Sequence, residues 1–200
     1  KTFPSEKTFF WSADKALQEK RAFSDLLNRI KTINRFDDKI PFYRRLFDAY
    51  EAAVARIGEA GMADLKNTIL AQIKKDVQSH HIAQQEIIPR EFLIAAQHLP
   101  EISEFLKNSQ YEILIAKGDD ASEDAQSGMH YLSALALSPG RSDAVDRIKN
   151  MAFKLDKAHR NKDAVGVLRR AAEIDPGNPI FPGLLSNLAR VLNIYATAPG

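Results

Sequence analysis

The 200-residue chain contains no cysteine, which excludes disulfides, thiolate metal sites and a cysteine nucleophile without fixing a compartment. It has no apolar run near the ~20 residues that a bilayer-spanning helix needs, and no basic–apolar–small-residue leader at its start. A large excess of one charge is also missing. Twenty-eight Lys and Arg stand against 26 Asp and Glu, a net charge of +2, whereas wholesale nucleic-acid binding calls for a clearer basic surplus. Neither an integral membrane segment nor a nucleic-acid partner is therefore expected. Catalytic signatures are missing as well. There is no GxGxxG, P-loop or HExxH pattern, and Ser133 and Ser138 lack the strand–turn–helix context of an exposed nucleophile. His80-His81 with Glu86 comes nearest to a metal constellation, but adjacent residues on a helix diverge by about 100°. His98, His130 and His159 are isolated. The expectation is no catalytic residue, no metal and no cofactor.

What is present reads as an all-α globular protein. Apolar residues make up 44% and charged residues 27% of the chain, too apolar a balance for disorder. Charge is uneven locally. Residues 101–126 carry seven acids and two lysines, whereas 15–45 and 141–170 each carry nine bases and four acids. The chain begins at Lys1 and closes on Thr197-Ala198-Pro199-Gly200. It is read as a cytoplasmic piece of a longer protein, or one whose leader has been removed.

Proline and glycine divide the chain into helices. No residue of either type falls between Pro4 and Pro41. Ser12 is placed to cap a helix there, with Ala13, Ala16, Leu17, Phe23, Leu26, Leu27, Ile30 and Ile33 as its apolar stripe. Phe9-Phe10-Trp11 precedes it as a hydrophobic staple. Asp37 and Asp38 should break that helix, with Pro41 opening a second in its first turn. Gly58 and Gly61 should close the second, and a third runs over about 63–78. A fourth is interrupted or kinked at Pro89 and resumes through Phe92, Leu93, Ala96 and Leu99. From Pro100 the pattern is more regular, with helices expected at 101–117, 121–137, 142–158, 161–174 and 180–196. The paired acids Asp119-Asp120 and Glu123-Asp124 suit a helix N-terminus. Short links imply antiparallel neighbours. Two regions follow, an N-terminal helical bundle over 1–99 and a repetitive helical region over 100–200.

The second region carries a motif. Ahead of Asp175-Pro176-Gly177-Asn178-Pro179, Ala171 lies five residues before Pro176, Leu168 eight and Ala164 twelve. The preceding helix offers Ile148, Met151, Ala152 and Leu155. This small–large–small spacing closed by proline resembles the tetratricopeptide (TPR) repeat, a 34-residue helix–turn–helix unit. The same count from Pro139 finds Ala134, Tyr131 and Ser127, with Tyr111, Leu114 and Ile115 on the first helix. Gly118 departs from the pattern, and the two prolines lie 37 residues apart, the extra residues falling around 139–143. The resemblance covers about 108–196, with 179–196 as a capping helix and no repeat in 1–99.

The resemblance implies antiparallel hairpins stacked as a short α-solenoid, in which each repeat buries its apolar face on its neighbours. It also implies a concave groove for a peptide. That groove would be lined by Glu112 and Ala116, then Lys149, Asn150, Phe153 and Lys157, then Asn187 and Arg190. Lys149, Phe153 and Lys157 are four apart and share a stripe, suited to an acidic peptide with an apolar side chain. Lys149 and Asn150 echo the carboxylate clamp of co-chaperone members of the family, but Ile113, Ala116, Gly183 and Leu184 stand where that clamp needs polar residues. The expected function is a protein–protein interaction scaffold. The alternative is the non-catalytic helical region of a larger enzyme, such as a transferase.

Overall fold

A single glycine separates the first two long helices. Gly58 adopts φ 78°, ψ 160°, a region essentially reserved for glycine, and its N–H still donates to the Val54 carbonyl at 2.8 Å. The computed structural model describes residues 21–197. Every regular element among them is helical, and no strand occurs among them. Phe9-Phe10-Trp11 and the expected Ser12 cap lie outside the described residues. The elements are α1 (residues 21–32), α2 (Phe36–Ile57), α3 (Glu59–Val77), a π-helical turn (Gln78–Ile82), α4 (Arg90–Ala95), α5 (Pro100–Asp120), α6 (Asp124–Leu137), α7 (Ser142–Lys157), α8 (Asn161–Ile174) and α9 (Ile180–Thr197). None of the described helices is long and apolar enough to cross a membrane.

The chain divides into two compact units between Leu106 and Lys107. In the first, α2 packs against α3 and α4. Its core sets a cluster of rings among aliphatic residues such as Leu46, Ile69, Ile73 and Leu106. Phe36, Tyr43, Phe47 and Phe92 are buried and lie ring to ring, with Phe36–Phe92 edge-on at 5.1 Å and Tyr43–Phe92 at 5.2 Å. Through this core runs a polar thread. Lys39 Nζ donates to Asp76 Oδ1 at 2.8 Å, Tyr43 OH to Asp76 Oδ2 at 2.6 Å, and Gln72 Nε2 to Asp76 Oδ1 at 3.1 Å. Both members of the ion pair keep only 5% of their side-chain surface exposed. Three donors on one carboxylate provide the pairing that buried charges require. Burial, and then the bond to Asp76, push the Tyr43 hydroxyl far above its ordinary value.

Two expectations for this unit need correction. Asp37 and Asp38 do not break a helix but lie in the first turn of α2, where carboxylates complement the dipole. Pro41 is therefore inside α2 and removes only the N–H that would reach the Asp37 carbonyl. Gly61 does not end a helix either; it sits within the first turn of α3, and Gly58 alone makes the break.

The second unit is built largely from aliphatic and small residues, with Tyr111, Tyr131 and Phe181 among them. α6 packs on α7 and α8, α7 on α8, and α8 on α9. Ala134, Ala144, Ala152, Ala164 and Ala171 are all buried in one cluster with Ile148, Leu155, Leu168 and Phe181. Burial of the alanines allows the helices to approach closely. Gly118-Asp119-Asp120, expected as a separator, instead completes α5. Gly118 is needed there for packing, because a Cβ at that position would meet Tyr131 Cε1 at 2.3 Å. The α7–α8 turn closes as a Schellman motif, with His159 at φ 59° and Arg160 N–H donating to the Leu155 carbonyl at 2.9 Å. Before α7, Gly140 at φ 80° sits in a β-turn in which the Arg141 N–H donates to the Ser138 carbonyl at 3.5 Å.

Candidate functional site

The site begins with the composition of α7. Its buried stripe is Ala144, Val145, Ile148, Met151, Ala152 and Leu155, recurring at threes and fours as one helix face requires. At 100° per residue, Asp146, Asn150, Phe153 and Lys157 then fall on the opposite side. Phe153 is 46% exposed, unusual for a phenylalanine in a protein that buries most of its other large apolar side chains. Asn150 and Lys157 are exposed, and Lys149 is half-buried at the edge of the same face. Asn187 and Arg190 are exposed on α9, away from its buried Phe181 and Leu188. On α5, Glu112 is exposed and Ala116 half-buried.

One residue on this face was not anticipated. Asp146 accepts from Lys149 Nζ at 2.5 Å, an i,i+3 pair that occupies one of the two lysines beside Phe153. The spacing alone could have indicated it. Lys157, in contrast, has no ion-pair partner among the described residues. The positive charge available to a ligand therefore lies on the C-terminal side of Phe153, where the helix dipole favours a cation on the helix itself.

The helix is held in place by carboxylates from its neighbours. Arg147 grips Asp119 with Nε at 2.8 Å and Nη2 at 2.7 Å, and Tyr131 OH donates to the same carboxylate at 2.8 Å. The Arg147 hydrogen bonds, then that from Tyr131, hold the Asp119 carboxyl below its ordinary value despite partial burial. Tyr111 OH donates to Asp143 and accepts from the Ala144 N–H at 3.1 Å, while the Arg141 guanidinium covers the Tyr111 ring at 3.7 Å. Burial would raise the Asp143 carboxyl, but the Tyr111 bond and the Arg141 charge outweigh it and bring it lower. Tyr111 and Tyr131 are each pushed up to about 12, by burial first and by their carboxylate partners second. Asp124, at the start of α6, accepts from Lys154 at 2.7 Å and Arg160 at 2.9 Å, and Lys154 chiefly holds its carboxyl low. Asp175 links the two proline turns, accepting from Gly140 N–H at 2.9 Å and Asn178 Nδ2 at 3.2 Å.

Asp119 and Asp120 thus occupy the end of α5 rather than a helix N-terminus, and the Arg147 fork offsets the unfavourable dipole at Asp119. Glu123 and Asp124 do sit at the start of α6. Elsewhere, His81 lies in the π-helical turn, 3% exposed, with Nδ1–H donating to the Glu86 carbonyl at 3.1 Å and Phe36 edge-on at 4.3 Å. Among the described residues no three His, Asp or Glu side chains converge as metal ligands would. The α7 face thus presents an exposed phenylalanine, a lysine paired with Asp146, a lysine with no ion-pair partner among the described residues, and the Asn150 amide. Comparison with protein-family models, with curated proteins and with solved structures gives no match to this chain.

Proposed function

We propose that this chain is a protein–protein interaction scaffold, in which residues 108–196 stack TPR-like hairpins as a short α-solenoid and bind an acidic peptide along α7. The observation that carries the reading is Phe153, 46% exposed on the face opposite the buried stripe. An apolar ring in water contributes little to folding, whereas the same ring buried by a partner is a typical interface anchor. Asn150 and Lys157 flank it, and in the proposed groove Asn187 and Arg190, exposed on α9, would meet the same peptide. The fully buried alanines at the helix crossings, and the proline turns joined through Asp175, support the repeat register. The occupant is an extended or helical peptide with an apolar side chain for Phe153 and a carboxylate for Lys157. Its affinity falls with salt, since exposed charges are screened over about 8–10 Å.

Selection of a random peptide library on the intact chain tests this reading. Enriched peptides should combine an acidic and a large apolar residue, and should lose binding to the Lys149→Glu, Phe153→Ala double variant. Peptides that bind the double variant equally well would remove α7 as the site.

A further inference from the structure

A recess lies in the same unit along the seam of α6 and α8, away from the exposed face of α7. It has a volume of about 350 Å³, within the range of small-molecule sites. Its floor is apolar, made by Gly128, Leu132, Leu155 and Val167. Arg160, Lys162 and Arg170 stand around its mouth together with Asp124 and Asp163. The charges are not equivalent. Arg160 bonds both acids, Asp124 at 2.9 Å and Asp163 at 2.8 Å, and Lys154 adds a further bond to Asp124. Both carboxylates are therefore neutralised by partners. Lys162 and Arg170 are left without an ion-pair partner among the described residues.

The glycines give an independent indication. Gly166 lies inside α8, where glycine is destabilising relative to alanine. A Cβ there would meet nothing within 4 Å, so neither packing nor close helix approach requires the glycine. What its missing side chain does is leave the recess open. Gly128, across the seam, is different: a Cβ would press on Met151 Sδ at 3.2 Å.

From the apolar floor, the two uncommitted cations and the unfilled space at Gly166, we propose that this recess binds a small amphiphilic carboxylate. The ligand's hydrocarbon body lies over Leu132, Leu155 and Val167, and its carboxylate meets Arg170 and Lys162. An arginine offers the planar fork that matches a carboxylate. This site is independent of the peptide face, since Phe153 points away from the stripe that carries Leu155.

The test is an NMR titration of the intact chain with sodium octanoate, with acetate and 1-octanol as single-feature probes. Octanoate should give saturable amide shifts at Gly128, Gly166 and Val167. Acetate should give none, and octanol should bind roughly tenfold more weakly, the loss expected for one charged hydrogen bond. Gly166→Leu should abolish the shifts while circular dichroism and Tm show an intact fold. Lys162→Gln with Arg170→Gln should weaken octanoate but not octanol, and Phe153→Ala should leave octanoate affinity unchanged. Non-saturable octanoate shifts, equal affinity for octanol, or retained binding in folded Gly166→Leu would each overturn the proposal.

Discussion

The two units solve the same packing problem with different materials. The first sets a cluster of rings among its aliphatics and runs a buried ion pair beside them; the second places alanines at its helix contacts and keeps its ion-paired carboxylates nearer the surface. In the first unit Lys39 and Asp76 are nearly inaccessible, so each depends on the other. In the second, Asp119, Asp124 and Asp143 remain partly exposed beside their cations, where water screens the pair and each bridge contributes about 0–1 kcal/mol. Charge removal should therefore be costly in one unit and mild in the other. A change of side-chain volume should be most costly where alanines set the helix spacing.

The largest effect is expected at Asp76. Asp76→Ala leaves the Lys39 ammonium buried and uncompensated, at a cost of about 3–5 kcal/mol in urea denaturation. Lys39→Met combined with Asp76→Leu should recover most of that loss, because no charge is then stranded. If the single variant costs no more than an exposed bridge does, the contrast between the units fails.

Next comes the alanine spacing. Ala171→Leu should overpack the α8 crossing and cost about 1–3 kcal/mol, since Ala171 is fully buried. The same substitution at exposed Ala136 should change stability by less than about 0.5 kcal/mol. Equal effects at the two positions would show that the crossing is looser than described.

This second unit is also the more legible in sequence. Its helices end where Pro139 and Pro176 follow them, and Ala134 and Ala171 are buried at the positions that counting back from those prolines selects. The exposure of Phe153 follows from the same count. What spacing could not convey was long-range pairing. Asp146 beside Lys149 is local and was readable, but Arg147 meets Asp119 across 28 residues. In the first unit, Lys39 and Asp76 look like surface charges, because each is polar within an amphipathic stretch and their partnership spans 37 residues. The π-helical turn at Gln78–Ile82 has no propensity signature of its own. Similarly, the start of α2 at Phe36 was hidden by Asp37 and Asp38, which serve equally as helix breakers or first-turn residues.

A smaller effect separates the units by pH. Burial holds the His81 imidazole below its ordinary 6.5, against the raising influence of the Glu86 carbonyl and carboxylate and of Asp37, while neighbouring His80 lowers it further. As pH falls below about 6.5, the unfolded chain takes up a proton that folded His81 resists, so stability declines through that interval and is constant above it. His81→Gln should flatten the decline between pH ~6.5 and ~5 in urea titrations. His130 in the second unit is lowered by burial and Lys117, and His130→Gln should flatten the slope less, since His130 is only half-buried. An unchanged slope in His81→Gln would mean that the π-helical turn opens before His81 titrates.

The smallest expected change in stability bears on the largest claim, that the α7 face is kept for a partner. The decisive measurement is Phe153→Ala, with urea denaturation and affinity for a library-selected acidic peptide determined on the same sample. Stability should shift by less than about 0.5 kcal/mol, while peptide binding weakens by more than about 1 kcal/mol, as for an interface anchor. A loss of about 3 kcal/mol in folding stability, the cost of deleting a buried phenylalanine, with peptide affinity unchanged, would contradict the account.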